Sequence, residues 1–176
     1  LAFVAQLLGV VHCSESLKQR FLEGVFEMVT YDELNEQNDK ITELTNVLEH
    51  LLGDRHLCGS AVTCELFYRF VEEVKNHLEL MDRGIYSQLL THQEQQVRNT
   101  ANRFMGGSKE IKRIFAAYLK KWCKPKTREL AIKEYDQFKA ETDEMFELVL
   151  NRIQAEQENL YPMIRKVTGD PQRAAA

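Results

Sequence analysis

The chain has 176 residues, of which 44% are hydrophobic and 28% charged, with a formal net charge of −4. That length fits one domain with a sizeable core, and that balance excludes an intrinsically disordered chain. The mild negative charge argues against general attraction to nucleic acid or anionic membranes, although Lys120, Lys121, Lys124, Lys126 and Arg128 gather locally. The longest uncharged apolar stretch, Leu1 to Ser14, is too short to span a bilayer. It also lacks a basic n-region and a small-residue cleavage site, so neither a membrane anchor nor a signal peptide is expected. Cys13, Cys58, Cys64 and Cys123 form no CxxC pair, which points to reduced, mostly buried thiols in a cytoplasmic protein.

Only three prolines occur, Pro125, Pro162 and Pro171. Apolar residues recur at three- and four-residue spacing, so an all-α chain is expected. The first helix is predicted from about Leu1 to Val29, with a break near Cys13–Ser14. The second starts at Asp32, a residue that can cap it, carries Leu34, Ile41, Leu44, Leu48 and Leu51, and ends at Gly53. The third follows Ser60, shows Leu66, Phe70, Val74, His77, Met81 and Ile85 in a stripe, and ends near Leu90. The fourth is predicted from Thr91 to Trp122 with a break at Gly106-Gly107-Ser108. Lys124-Pro125-Lys126 is a turn. The fifth is predicted from Thr127 to about Val167, with Ile132, Tyr135, Phe138, Met145, Leu148, Val149, Arg152, Glu156 and Leu160 inside and a kink or stop at Pro162. Long helices joined by short loops imply an up-down four-helix bundle over residues 32–167, an added N-terminal helical element over 1–31 and a tail over 168–176.

One pattern occurs twice. With His77 aligned on Arg152, Met81 falls on Glu156, Asp82 on Gln157, Ile85 on Leu160, Tyr86 on Tyr161 and Ser87 on Pro162. His or Arg followed four residues later by Met or Glu lies on one helical face, so both side chains reach the same level of a bundle core. Arg152 and Glu156 are also placed to pair directly.

These residues resemble the hemerythrin-like HHE domains, whose motif is His, three residues, Glu, then Leu-Tyr-Pro. The resemblance covers roughly Asp32 to Lys166 and is most specific at Glu156, Leu160, Tyr161 and Pro162. It implies a four-helix bundle in which imidazoles and carboxylates hold two irons. The departures are as informative. Met81 stands where the family has a ligand Glu, and Arg152 where it has His. The next helix offers His92 followed by Gln96 in place of two His, and the second helix offers only His50, near its end.

A guanidinium stays protonated and cannot ligate iron. The expectation is therefore a vestigial site of His77, Met81, His92, Gln96, Arg152 and Glu156, with no metal or other cofactor and with the Arg152–Glu156 pair as the neutralising centre. The plain alternatives are a core histidine with one partner at His77, packing at Met81, and a solvated face for His92 and Gln96. No phosphate loop, nucleophile elbow or Walker motif is present. The functional expectation is a non-enzymatic regulatory or interaction protein with a protein partner or a homodimeric state, and with neither nucleic acid nor membrane. A more distant resemblance to Rsd/AlgQ-type anti-sigma bundles, in Phe70 to Leu89 and the Arg152–Glu156 helix, points the same way. The alternative is a non-haem iron protein that binds O₂ or NO or senses iron through His77, His92 and Glu156.

Overall fold

A computed structural model describes residues 31–169 of the chain. The predicted helix over residues 1–29, most of the 1–31 extension, Cys13 and the tail beyond Gly169 lie outside the described residues. Those described form an all-α helical bundle. Its elements are α1 (Tyr31–Gly53), α2 (Ala61–Leu80), a π-helical segment π1 (Met81–Tyr86), α3 (Ser87–Leu90), α4 (Gln95–Trp122), α5 (Tyr135–Ala155), a second π segment π2 (Glu156–Leu160) and α6 (Tyr161–Thr168). The segments α2, π1 and α3 follow one another without a gap, as do α5, π2 and α6, so two of the long rods each contain one π turn. No helix among the described residues is long and apolar enough to cross a membrane.

Capping accounts for several of the boundaries. Ser60 accepts the Thr63 N–H at 3.2 Å and starts α2, the usual N-cap arrangement. Gly169 ends α6 with φ 69°, its N–H bonded to the Arg165 carbonyl at 3.0 Å, a left-handed stop that costs glycine little. Tyr31 already belongs to α1, so Asp32 lies within the helix and not at its cap. Its other end is closed by the Tyr135 hydroxyl, which lies 2.7 Å from the Gly53 carbonyl and 3.0 Å from that of Leu52.

Three predicted boundaries are corrected. The helix expected from Thr127 starts at Tyr135. The preceding Glu129–Leu130 pairs antiparallel with Cys123–Lys124 as a two-strand hairpin (β1 and β2). Pro125 occupies the turn that the Thr127 N–H closes on Lys124, and Arg128 adopts φ 54°; both are incompatible with a continuing helix. The break expected at Gly106-Gly107-Ser108 is absent, and α4 runs through it. Ser108 is buried there and donates to Asp82 Oδ1 at 3.1 Å, and the apolar contacts on either side outweigh glycine's poor propensity, about 1 kcal/mol per residue. Pro162 does not end the last rod but sits in the first turn of α6. Its missing N–H comes directly after the π turn, where the α-helical ladder is already interrupted.

The core divides in two. One cluster joins Ile41, Leu48, Leu52, Phe67, Phe70, Val74, Phe115, Tyr118, Trp122, Phe138, Phe146 and Val149. Within it Phe70 meets Phe146 edge-on at 5.2 Å and Trp122 meets Phe138 at 5.4 Å, geometries that aromatic quadrupoles favour. Cys58 and Cys64 are buried at its margin as free thiols, with Cys123 half-buried. The other cluster joins Leu34, Met81, Ile85, Tyr86, Leu89, Val97, Phe104, Leu160, Tyr161 and Ile164. Residues near the start of α1 and the end of α2 meet at one level of the bundle, while the end of α1 meets the start of α5 at another.

A buried polar layer as the candidate functional site

Each long rod carries its polar core position between the two apolar clusters. On α1 it is Gln37 and Asn38, between Leu34 and Ile41; on α2 it is His77, between Val74 and Met81. On α4 it is Ser108, between Phe104 and Ile111, and on the last rod it is Arg152 and Glu156, between Val149 and Leu160. The same helical faces that bury apolar neighbours carry these residues inward, so the layer is a consequence of register.

Glu156 is its centre. The residue is 0% exposed. One carboxylate oxygen lies 2.8 Å from His77 Nε2, and the other accepts from Arg152 Nε at 2.5 Å. The opposite ring nitrogen of His77, Nδ1, lies 3.2 Å from Gln37 Oε1. The Arg152 guanidinium donates onward to the Tyr86 hydroxyl and lies over the Phe104 ring, 4.8 Å from its centroid. A Cβ at Gly107 would stand 3.0 Å from the end of that guanidinium, so the residue lets α4 pass close to the charge. Beside this group, Asp82 receives Ser108 and the Lys112 ammonium, the latter at 2.6 Å. On the α1 side the Asn38 amide donates to the Tyr161 hydroxyl at 2.7 Å.

The electrostatics arise from these contacts. Burial works to raise the Glu156 carboxyl. The hydrogen bond and charge of His77, with the charge and hydrogen bond of Arg152, more than offset it and hold the group below the usual carboxylate range, as opposite charges and donated bonds do. Burial pushes the phenols of Tyr86 and Tyr161 well up, so both act as neutral hydroxyls. A buried carboxylate is thus matched by a fixed cation and an imidazole, the condition under which a charge tolerates a low-dielectric site.

Of the six residues expected to form a vestigial metal site, four lie in or against this layer. His77, Arg152 and Glu156 bond to one another as described, and Met81 is fully buried in the adjoining apolar cluster. The other two are not brought to it. His92 sits in the loop before α4, where its Nδ1 accepts the Glu94 N–H at 3.2 Å, and Gln96 is exposed in the first turn of α4. The level of the layer is reached further along α4, at Phe104 and Ser108, because Thr91–Glu94 is loop and the helix starts only at Gln95. His50 is exposed and bonds to the Asn46 carbonyl; the α1 residue that meets His77 is Gln37. Gln37, Asn38, Ser108 and the Tyr86 hydroxyl were not singled out from the sequence. A signal for two of them existed. Asn38 falls in the stripe Leu34–Ile41–Leu48, and Ser108 in the stripe Phe104–Ile111–Phe115, as polar residues on otherwise apolar faces.

The donor set does not fit a di-iron centre. Among the described residues, no three His, Cys, Asp or Glu side chains are grouped so as to hold a metal ion. Both oxygens of Glu156 are engaged by protein donors, one of them a guanidinium. Set against known proteins, the chain matches no protein-family model, no curated protein and no solved structure.

Proposed function

We propose that this chain is a divergent hemerythrin-like bundle in which the His77–Glu156–Arg152 cluster takes the place that iron holds in relatives, and that it works as a non-enzymatic regulatory or protein-interaction module. One observation carries the reading: among the described residues, the carboxylate at the centre of the layer, that of Glu156, is bonded on one oxygen by imidazole and on the other by guanidinium. A positive charge fixed on Glu156 opposes a second cation there, and with its charge balanced the layer needs no ion to be stable. The absence of recognisable nucleophile or phosphate-binding motifs supports a binding role over a catalytic one.

The test has two arms. Protein purified aerobically is assayed for iron and for oxo-iron absorption in the near ultraviolet; the expected result is no stoichiometric metal and no stabilisation on adding ferrous ion. Cross-linking and affinity capture of the full chain is then expected to return one defined protein partner or a second copy of the chain. The alternative, an iron-binding bundle that senses O₂ or NO, draws on the juxtaposition of His77 and Glu156, both competent ligands. Two irons per chain would establish it and end the metal-free reading.

A further inference from the structure

Asn38 is fully buried, and among the described residues its Oδ1 is the one buried side-chain oxygen or nitrogen without a hydrogen-bond partner. Its Nδ2 donates to the Tyr161 hydroxyl at 2.7 Å. That hydroxyl then accepts, and its own proton meets no acceptor. Exchanging the two ends of the amide does not resolve this. Tyr161 would then donate to Oδ1, and both Nδ2 protons would be left without an acceptor. In the observed orientation the pair lacks a donor for Oδ1 and an acceptor for the Tyr161 proton, and one Nδ2 proton is also unpaired.

The occupant that completes this pair must both donate and accept. A metal cation would satisfy Oδ1 but accept nothing from the Tyr161 hydroxyl, and an anion would accept from that hydroxyl but give Oδ1 no donor, whereas water does both. Leu34 and Ile41, neighbours of Asn38 on α1, are buried with it, so the occupant lies out of contact with bulk water. Burying an amide oxygen unpaired is unfavourable, and interiors hold about one buried water per 27 residues at sites of this kind.

We infer that one water molecule binds between Asn38 and Tyr161, donating to the Asn38 carbonyl and accepting from the Tyr161 hydroxyl. It ties α1 to the start of α6. The inference stands apart from the metal-free reading, since neither Asn38 nor Tyr161 bonds to His77, Arg152 or Glu156.

The test uses isotope-labelled full chain. Magnetisation transfer from water to the Asn38 side-chain amide protons is expected to reveal a long-lived bound water, and a high-resolution crystal structure is expected to show one density peak within roughly 3 Å of both Oδ1 and the hydroxyl. Asn38→Leu should abolish the peak. Tyr161→Phe, which keeps the amide and removes one of the water's two anchors, should shorten the water's residence time several-fold. A wild-type protein with neither the cross-peak nor the density overturns the site, whether or not Asn38→Leu folds. An unchanged residence time in Tyr161→Phe overturns the bridging geometry.

Discussion

Met81 and Glu156 hold equivalent places in the two halves of the bundle: each opens a π-helical segment, and each stands four residues after the polar residue that faces it, His77 or Arg152. The sequence repeat is therefore also a repeat of backbone form. A π turn widens the helix and shifts the register of the residues after it. Here it carries Tyr86 and Tyr161 inward at matching positions, both almost fully buried. The halves differ in what they do with that geometry. Tyr86 receives Arg152 across the bundle, whereas Tyr161 receives Asn38. Met81 faces the apolar cluster while Glu156 holds the layer together. The asymmetry of two residue pairs, His77/Met81 and Arg152/Glu156, leaves one carboxylate in the layer's centre, bonded by His77 on one oxygen and by Arg152 on the other.

Arg152→Ala leaves Glu156 buried with only His77 to balance it. Loss of one partner of a buried pair costs about 3–5 kcal/mol. The expected outcome is a fall of that size in the free energy of urea unfolding. Replacing both members, as Arg152→Met with Glu156→Gln, removes the uncompensated charge and should cost markedly less than Arg152→Ala alone. Equal losses in the two variants would show that the charge balance is not what the pair contributes.

The Glu156 carboxyl, held below its ordinary value of 4.5, makes stability depend on pH with a definite sign. A group whose folded value is depressed contributes stability that is fully present above the unfolded value and is lost as pH falls through the folded one. Above about pH 5 the difference in unfolding free energy between wild type and Glu156→Gln carries the carboxylate's full contribution. It should shrink as the solution is made more acidic. The groups facing this carboxyl are His77, Arg152, Tyr86 and Tyr161. Denaturant titrations of both proteins across that range check the prediction, and a difference that grows on acidification would contradict it.

The helical bundle was legible because its apolar stripes are long and regular, and Arg152 with Glu156 was legible because an i, i+4 pair on an inward face needs no tertiary information. His77 was found as the counterpart of Arg152 in the repeat. What the sequence hid was level. Which α4 residue reaches Arg152 depends on where α4 begins, and the loop Thr91–Glu94 displaces the meeting point from Gln96 to Phe104 and Ser108. The hairpin was hidden for a different reason. Two residues per strand leave no period to detect, and Thr127 to Glu134 reads as readily as a first helical turn. Gln37 looked like one more polar residue on a wet helix, and only the position of His77 on α2 gives it a partner.

Gly106 and Gly107 allow a controlled comparison within one helix. A Cβ at Gly106 meets nothing within 4 Å, whereas one at Gly107 presses on Arg152 at 3.0 Å. Alanine is favoured over glycine in a helix interior by about 1 kcal/mol. Gly106→Ala should therefore raise stability by about that amount. Gly107→Ala should gain much less, because the guanidinium it displaces is fixed by Glu156, Tyr86 and the Phe104 face. In an Arg152→Ala background the two substitutions should become equivalent, and a double-mutant cycle reads this directly. A persistent difference in that background would place the obstruction at Gly107 elsewhere than at Arg152.

The repeat also makes a prediction about metal. If Arg152 is what opposes a cation, the equivalence of the two halves can be restored by Arg152→His together with Met81→Glu. The variant would present an imidazole and a carboxylate, four residues apart, from each half of the layer. Two His and two carboxylates from facing helices form a donor set that first-row divalent ions accept. Cobalt(II), added as a spectroscopic probe, should develop visible d–d absorption with the double variant and none with wild type, and should raise the thermal midpoint of the variant alone. Arg152→Ala supplies the control: it removes the opposing charge and adds no ligand, so it should bind cobalt weakly if at all. Strong binding by wild type would show that the guanidinium does not guard the centre. Failure of a folded double variant to bind would show that the π segments do not set the two halves at ligating distance.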